Sequence, residues 1–396
     1  MERLKAFTVS WFFAPYIGSA DLDFFKRIKD TNIDFDIAMV QRDIKDEHIL
    51  DYVTNARFNT REIKADHKNP RTLKARQFFS EETIKFFDES RKKYDVLVSH
   101  SNELVSHAVA GEIKRKHPEL PWVAYFGDLF AKNPYIKYIH GYPLVDEDRL
   151  TEEKTIIEAD RIILNNPYQK ELMFHGTLRK YEHKAVVIPH CYDPLMYDKI
   201  KKPISEKFII GHLGTLYHVK RTAEPVLRAV DRLLEIYPHY KNTFEILFYG
   251  GSPCSHDVSV HAFMKNRNHV RFEDPISYMD SLRMMQNCDA LLLIDGIFDK
   301  QEDDLDCNPF LAGKLADYMG AQRPIIGITM PKGPSYDILT ASGNLVADLR
   351  IDRIAYVLKR YIDQKVRPDF DVYKQYACHN ISQQMEAVFY SANREN

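Results

Sequence analysis

The sequence predicts an α/β protein of two facing Rossmann-like domains, with parallel sheets flanked by helices and an interdomain cleft. Three observations predict it. Short apolar runs without strict polar alternation recur along the chain, as suits strands covered on both faces. Amphipathic helical patterns separate them, which calls for right-handed crossovers between parallel strands. The length of 396 residues exceeds one ordinary core, so two domains are expected.

In the first half the strand segments are 6–12, 35–40, 94–100, 122–126, 161–165 and 185–189. In the second half they are 208–214, 244–250, 270–272, 290–294, 324–328 and 344–346. Helices are predicted between them, for example over 103–116, 222–236 and 351–362. In the second of these, Ala223, Val226, Val230 and Leu233/Leu234 return at helical spacing and form one apolar face. The polar segment 191–208 holds two prolines and precedes a fresh strand, so it reads as the domain linker. The expected domains are 1–195 and 205–367, and the helical segment 368–396 is expected to pack back on the first domain.

Composition narrows the function classes. The chain is 44% apolar and 28% charged with a formal net charge of −2, which gives no electrostatic basis for nucleic-acid binding. No apolar run reaches the roughly 18–20 residues needed to span a bilayer. The start, MERLKAFTVSWFFAPYIG, lacks a small-residue cleavage site and reads as a strand entering a loop. Cys191, Cys254, Cys288, Cys307 and Cys378 are odd in number and scattered, which fits reduced thiols in a cytoplasmic protein. They lack metal-ligand spacing, and no metal site is expected.

The segment NPFLAGKLADYMGAQRPIIGI, residues 308–328, carries the most chemistry. A short helix is expected between two strands, with Gly313 and Lys314 in its first turn and Asp317 about one turn further (~5 Å). Free amides at a helix start attract phosphate, a lysine there adds a full charge, and the carboxylate can accept from ribose hydroxyls. In FIIGHLGTLYHVKRTAEPVL the strand ends in a glycine, and Lys220-Arg221 are placed at the next helix start. Two cations at the carboxyl end of a strand suit a pyrophosphate; an isolated pair is more often solvated, but here Gly313-Lys314 follows another strand end of the same predicted sheet. In APYIGSADLDF, Gly18-Ser19 opens a helix with Ser19 as expected N-cap. No G-x-G-x-x-G follows any strand, which argues against a dinucleotide oxidoreductase.

Gly127-Asp128 lies just past another strand, where Asp128 could hold a sugar hydroxyl, take a proton from an acceptor, or cap a turn. His100 and Ser101 end the strand before it and could line the same edge, or simply pack. Asp304-Leu305-Asp306 forms a D-x-D that reads as an acidic loop bordering the site, from which Asp306 and Asn308 could reach a sugar. Basic clusters at 68–76, 91–93 and 114–116 are solvated faces by default, or a peripheral contact with anionic lipid at the inner face of a membrane.

With these residues placed, the chain resembles the group 1 (family 4) retaining glycosyltransferases of the GT-B fold over nearly its full length. KLADYMGAQRPII is similar to that family's K-L-x-E-Y-x-A-x-G-x-P-V-I segment, GHLGTLYHVKR to its strand-loop-Lys/Arg phosphate site, and PYIGS to its Gly-rich first loop. EADRIILNN and VVIPHCYDP look like two further recurring segments. The resemblance implies a nucleotide-diphosphate-sugar donor bound around Gly18, Ser19, Thr215, Asn308, Leu311, Ala312, Gly313, Lys314 and Asp317. It implies charge stabilisation by Lys220 and Arg221, acceptor chemistry near Asp128, His100 and Ser101, and no metal or other cofactor. A saccharide or lipid-linked acceptor in surface glycan synthesis is the implied partner. Four positions depart from the pattern. Asp317 replaces the ribose glutamate, Pro309 stands where a second glutamate faces the donor sugar, Gly127 stands at the acceptor histidine, and Thr215 at a common arginine. A nucleotide-sugar epimerase or hydrolase, or a non-catalytic sugar-nucleotide-binding subunit, are the alternative readings.

Overall fold

Runs of Val, Ile, Leu and Phe that alternate with helices build two separate sheets, both wholly parallel. The computed structural model describes residues 3–394, apart from 17, 43–48, 55–56, 66–71, 91–92, 102, 139–143, 198–204, 217–219 and 251–254. The chain divides into two compact units, Met1–Cys191 with Cys378–Asn396, and Tyr192–Ala377.

In the first unit the strands are β1 (Leu4–Ser10), β2 (Ile33–Val40), β3 (Phe58–Ile63), β4 (Val96–Ser101), β5 (Trp122–Phe126), β6 (Arg161–Leu164) and β7 (Ala185–Val187). Their order is β3-β2-β1-β4-β5-β6-β7, with every pair parallel. Parallel strands need long crossovers, and helices on both faces supply them. β3 is absent from the strands read in the sequence. It lies at the sheet edge, and its segment FNTREI exposes Asn59, Thr60 and Arg61, so no apolar run marks it.

In the second unit the strands are β8 (Phe208–Leu213), β9 (Phe244–Tyr249), β10 (Val270–Glu273), β11 (Ala290–Ile294), β12 (Ile325–Ile328) and β13 (Val346–Ala347). Their order is β10-β9-β8-β11-β12-β13, again all parallel. The helices Glu224–Ile236 and Ile351–Ile362 pack together on one face. Val226, Val230 and Leu233 from the first and Ile354, Val357 and Leu358 from the second are fully buried in one apolar cluster. Burying a side chain of this kind contributes about 1.5–3 kcal/mol.

Two phenols tie helices to this sheet. Tyr318, on the helix Gly313–Ala321, accepts the Leu213 amide at 2.8 Å and donates to the Leu292 carbonyl at 3.2 Å. Tyr361 donates to the Ile325 carbonyl at 2.6 Å and accepts the Leu345 amide at 3.0 Å. Each satisfies buried backbone groups that regular pairing leaves over.

The C-terminal segment is divided between the units, contrary to the expectation that 368–396 returns as one piece. Residues up to Ala377 belong to the second unit, where Tyr373 takes a hydrogen bond from Asn344 Nδ2 at 2.7 Å. Only the helix Cys378–Arg394 joins the first unit. There Ser382 donates to the Arg27 carbonyl at 2.8 Å and Glu386 accepts the Asn32 amide at 2.8 Å. The first unit correspondingly stops at Cys191 rather than 195.

Tyr318→Phe should lower the stability of the second unit by about 1–3 kcal/mol, because the buried Leu213 amide loses its acceptor. The check is the urea unfolding midpoint at constant slope, and an unchanged midpoint would show the hydroxyl to be dispensable.

Candidate functional site

Parallel strands send all their carboxyl ends to one edge, where open α/β sheets bind ligands. In the second unit β8 ends at Leu213 and turns through Gly214, whose φ of 149° suits glycine. A Cβ on Gly214 would lie 2.3 Å from Lys314 Nζ, and one on Gly250 (φ 137°) would lie 2.4 Å from the Gly214 carbonyl oxygen. Both glycines therefore let the lysine and two loops close together.

Lys314 occupies the first turn of the helix Gly313–Ala321, which starts at Ala312 with no side-chain cap. The first-turn amides are thus left without a side-chain acceptor. Lys314 Nζ lies 3.3 Å from His212 Nε2. His212 is buried, and its Nδ1 lies 2.9 Å from the Leu292 carbonyl. Its Nε2 also lies 3.1 Å from the Gly214 carbonyl oxygen, so the ring faces two carbonyls as well as the lysine. Burial, then the charges of Lys314 and Arg221, hold His212 well below its ordinary pKa, so it stays neutral. Burial and the neighbouring Arg221 likewise push Lys314 well below its usual value, and Asp295 works in the opposite direction.

Arg221 Nη2 lies 3.9 Å from Asp295 Oδ1, and both side chains are largely buried. Asp295 directly follows β11, and its carboxyl is held above the usual range by burial, with Arg221 as the main opposing influence. Asp317 Oδ1 accepts from the Tyr278 hydroxyl at 2.8 Å, and the Asp317 carbonyl accepts from Tyr197 at 2.9 Å. Asn308 is buried with its Oδ1 on the Phe310 amide at 2.9 Å, and Leu311 and Ala312 are buried beside it. Thr215 is exposed after Gly214.

The structure thus brings Arg221, Lys314, Asn308 and the helix start together with His212 and Asp295. It does not bring Lys220 with them. Lys220 Nζ pairs with Asp303 at 2.7 Å and Glu302 at 3.2 Å. Nor do Lys220 and Arg221 stand at a helix start: the following helix begins at Glu224, behind an Ala223 N-cap. The expected D-x-D is also engaged. Asp304 pairs with Lys300 at 2.8 Å and Asp306 with Lys332 at 2.7 Å. Among the described residues no group of three His, Cys, Asp or Glu side chains could hold a metal ion.

In the first unit Gly18, not Ser19, is the N-cap of the helix Ser19–Ile28. The Ser19 and Ser101 side chains and Cys254 lie outside the described parts. A Cβ on Gly18 would meet Asp21 Oδ2 at 2.3 Å, so the carboxylate is folded back on the helix start. Arg42 Nη1 donates to the same oxygen at 2.9 Å. Burial raises the Asp21 carboxyl to about 6, against the influence of Arg42 and backbone amides. The Gly-rich first loop therefore already carries its own anion.

His100 is buried and stacked between Phe24 (centroids 4.5 Å apart) and Tyr125 (5.1 Å), with Nδ1 2.9 Å from Ser10 Oγ. Burial pushes it down to about 3, so it is a packed, neutral ring. Asp128 is exposed just past β5. The chain after it is fixed by Glu152, whose carboxylate accepts the Phe130 amide at 2.6 Å and the Ala131 amide at 3.1 Å. Beside it a cavity of about 420 Å³ is lined by Leu129, Leu150, Met173, Arg149, Glu153 and His175.

A buried network that the sequence reading missed lies under this edge. Arg27 Nε donates to Asp23 at 2.7 Å, and its Nη1 and Nη2 reach the Ile188 carbonyl (2.9 Å) and Asn165 (2.7 Å). His190 Nδ1 and the Tyr125 hydroxyl meet Asp23 at 2.8 and 2.6 Å. Burial would raise the Asp23 carboxyl, but Arg27, His190 and Tyr125 together hold it well below the usual range. The i,i+4 spacing of Asp23 and Arg27 was the available signal.

Among the described residues of the basic clusters, Arg76 and Lys114 are engaged by carboxylates. Arg76 is buried on Asp148 at 2.6 and 2.9 Å, and Lys114 reaches Asp160 at 2.9 Å and two carbonyls. Lys68 and Arg91 lie outside the described residues. Among the described residues no helix is long and apolar enough to cross a membrane.

No protein-family model and no curated protein sequence matches the chain. Solved structures do. HepE of Anabaena, in complex with UDP and glucose, matches with a TM-score of 0.67 at 12% identity, over 98% of this chain and 100% of that one. Sucrose-phosphate synthase of Thermosynechococcus elongatus matches with a TM-score of 0.63 at 13% identity, over 99% and 97%. The catalytic domain of starch synthase IV of Arabidopsis thaliana, bound to ADP and acarbose, matches with a TM-score of 0.66 at 12% identity, over 99% and 100%. The chain has the GT-B fold. In this GT-B chain the two sheets account for the strand-helix alternation read in the sequence. His212 and Asp295, both central to the second unit's edge, were not singled out there, because each looked like one polar residue at the end of an apolar run.

Asp21 gives a pH test. Its folded pKa of about 6 exceeds the unfolded value of 3.8, so its contribution to stability is complete below about 3.8 and lost as pH rises through 6. Relative to Asp21→Asn, wild-type stability should fall by up to about 3 kcal/mol across that window. Urea midpoints of both proteins from pH 3.5 to 7 check it, and parallel curves would refute the raised pKa.

Proposed function

We propose that this chain is a glycosyltransferase that moves a hexosyl group from a nucleotide-diphosphate sugar to a saccharide or lipid-linked acceptor, with retention at the anomeric carbon. One observation carries the reading: Lys314 and Arg221 converge on the strand ends of the second unit, beside the uncapped start of the helix Gly313–Ala321. Two cations and free amides match a diphosphate, and Asp317, one turn along, suits the ribose. HepE in complex with UDP and starch synthase bound to ADP share the fold and support a nucleoside diphosphate as the ligand class.

The chemical difficulty is departure of the nucleotide diphosphate as negative charge gathers on its bridging oxygen. Arg221, Lys314 and the first-turn amides would stabilise that charge without requiring a metal. Lys220 would join only by leaving Asp303 and Glu302. No protein nucleophile is assigned. In the proposed route the acceptor hydroxyl attacks the face that the phosphate leaves, and a phosphate oxygen takes its proton. Asp128, exposed past β5, is the acceptor-side candidate. We place the enzyme in the cytoplasm, in surface glycan synthesis.

A non-catalytic sugar-nucleotide-binding role is the second reading, favoured by Pro309 where a donor-sugar carboxylate is expected. A thermal-shift screen of UDP, ADP and their sugars tests what both readings share. Ligand at 100 times its dissociation constant should stabilise the fold by ~2.7 kcal/mol, and no shift with any nucleotide would overturn both. Turnover then separates them. Lys314→Ala and Arg221→Ala should each slow transfer by ~10²-fold or more, measured as nucleoside diphosphate released with acceptor present.

A further inference from the structure

Asp295 is a buried carboxylate with an unusual set of neighbours. It is 2% exposed at the end of β11, and its Oδ1 receives no hydrogen bond. Arg221 Nη2, at 3.9 Å, is too far for a hydrogen bond but close enough for strong through-space attraction. Asn308 and Ser335 flank this carboxylate and help hold it ionised, although Asn308 Nδ2 and Ser335 Oγ stay outside full hydrogen-bond geometry. Native proteins pair nearly all such groups, so a cluster of unpaired ones needs a reason. Register gives Thr329 the same orientation: Ile294 pairs with Ile328, so the next residues, Asp295 and Thr329, project to one face, and Thr329 Oγ1 is unpaired too.

The charges around Lys314 supply the reason. Three titratable groups face it: His212 from β8, Arg221 from the loop ahead of the helix Glu224–Ile236, and Asp295 from β11. His212 is neutral, so two cations share poorly hydrated space with one carboxylate. Without that carboxylate they repel each other, and the lysine relieves the repulsion by losing its proton. A site meant for phosphate would then lack half its charge.

We propose that Asp295 is a positioning residue of this site: its carboxylate is the built-in counter-ion that holds Arg221 and Lys314 together and favours the charged lysine while no diphosphate is present. The role as stand-in for a ligand rests on the reading of Arg221 and Lys314 as diphosphate ligands.

The test uses the full-length chain without ligand. Wild type and Asp295→Asn, which keeps shape and removes charge, are pulse-labelled with acetic anhydride at pH 8. Acetylation of Lys314 is read by peptide mass spectrometry against exposed Lys241. The counter-ion role predicts labelling of Lys314 at least about threefold faster in the variant, the effect of half a pKa unit. An unchanged or slower rate overturns it. A purely structural role would not move Lys314 selectively at an unchanged melting temperature. Asp295→Ser is the second variant should Asp295→Asn fail to fold, with the same expectation. UDP and ADP are then tested for protection of Lys314 in wild type. Failure of both, with faster labelling in the variant, removes the diphosphate reading and leaves the counter-ion. Protection without faster labelling removes the counter-ion alone.

Discussion

Parallel pairing carries every strand of the second unit toward one edge, but the Tyr318 hydroxyl decides which side chains meet there. It takes the last amide of β8 and gives its proton to a carbonyl of β11. The helix Gly313–Ala321 is thereby pinned against two neighbouring strands. Because Lys314 sits one turn before Tyr318, it is delivered to the end of β8 beside His212. A helix start free to drift by an ångström would lose that contact. Asp317, next to Tyr318, is fixed by the same anchor and braced by Tyr278 and Tyr197.

The two units handle their helix starts in opposite ways. In the first, Asp21 folds back on the amides behind Gly18 and Arg42 balances it, so the positive end of the helix is neutralised from within. In the second, the helix start carries no side-chain cap and gathers cations instead. Only the second arrangement is poised to receive an anion. Under the proposed function, this asymmetry puts phosphate recognition on one sheet even though both share a parallel, strand-helix plan.

The sequence shows the architecture well because buried parallel strands are apolar runs, as in WVAYF and ALLLI. It hides β3, an edge strand whose exposed residues follow no apolar pattern. Gly313, Lys314 and Arg221 can be placed near strand ends because the apolar strands before them are easy to read. Lys220 is paired with Glu302 and Asp303, about eighty positions away, which no local pattern encodes. His100 looked functional as a lone histidine at a strand end, but aromatic faces on both sides make it a packing element. Asp295 escaped notice because its meaning lies in distances to Arg221 and Asn308, which no local pattern encodes.

The return of the helix Cys378–Arg394 to the first unit bears on how the protein is made. On the ribosome, residues 1–191 emerge first yet cannot finish their fold, because Arg27 and Asn32 wait for Ser382 and Glu386. The second unit is continuous in sequence from Tyr192 to Ala377 and has all its strands before the last helix is synthesised. Vectorial synthesis therefore favours the later-made unit as the first to be complete, the reverse of the usual N-terminal-first order. Until the helix Cys378–Arg394 is made, the first sheet has all its strands but lacks one of its packing partners.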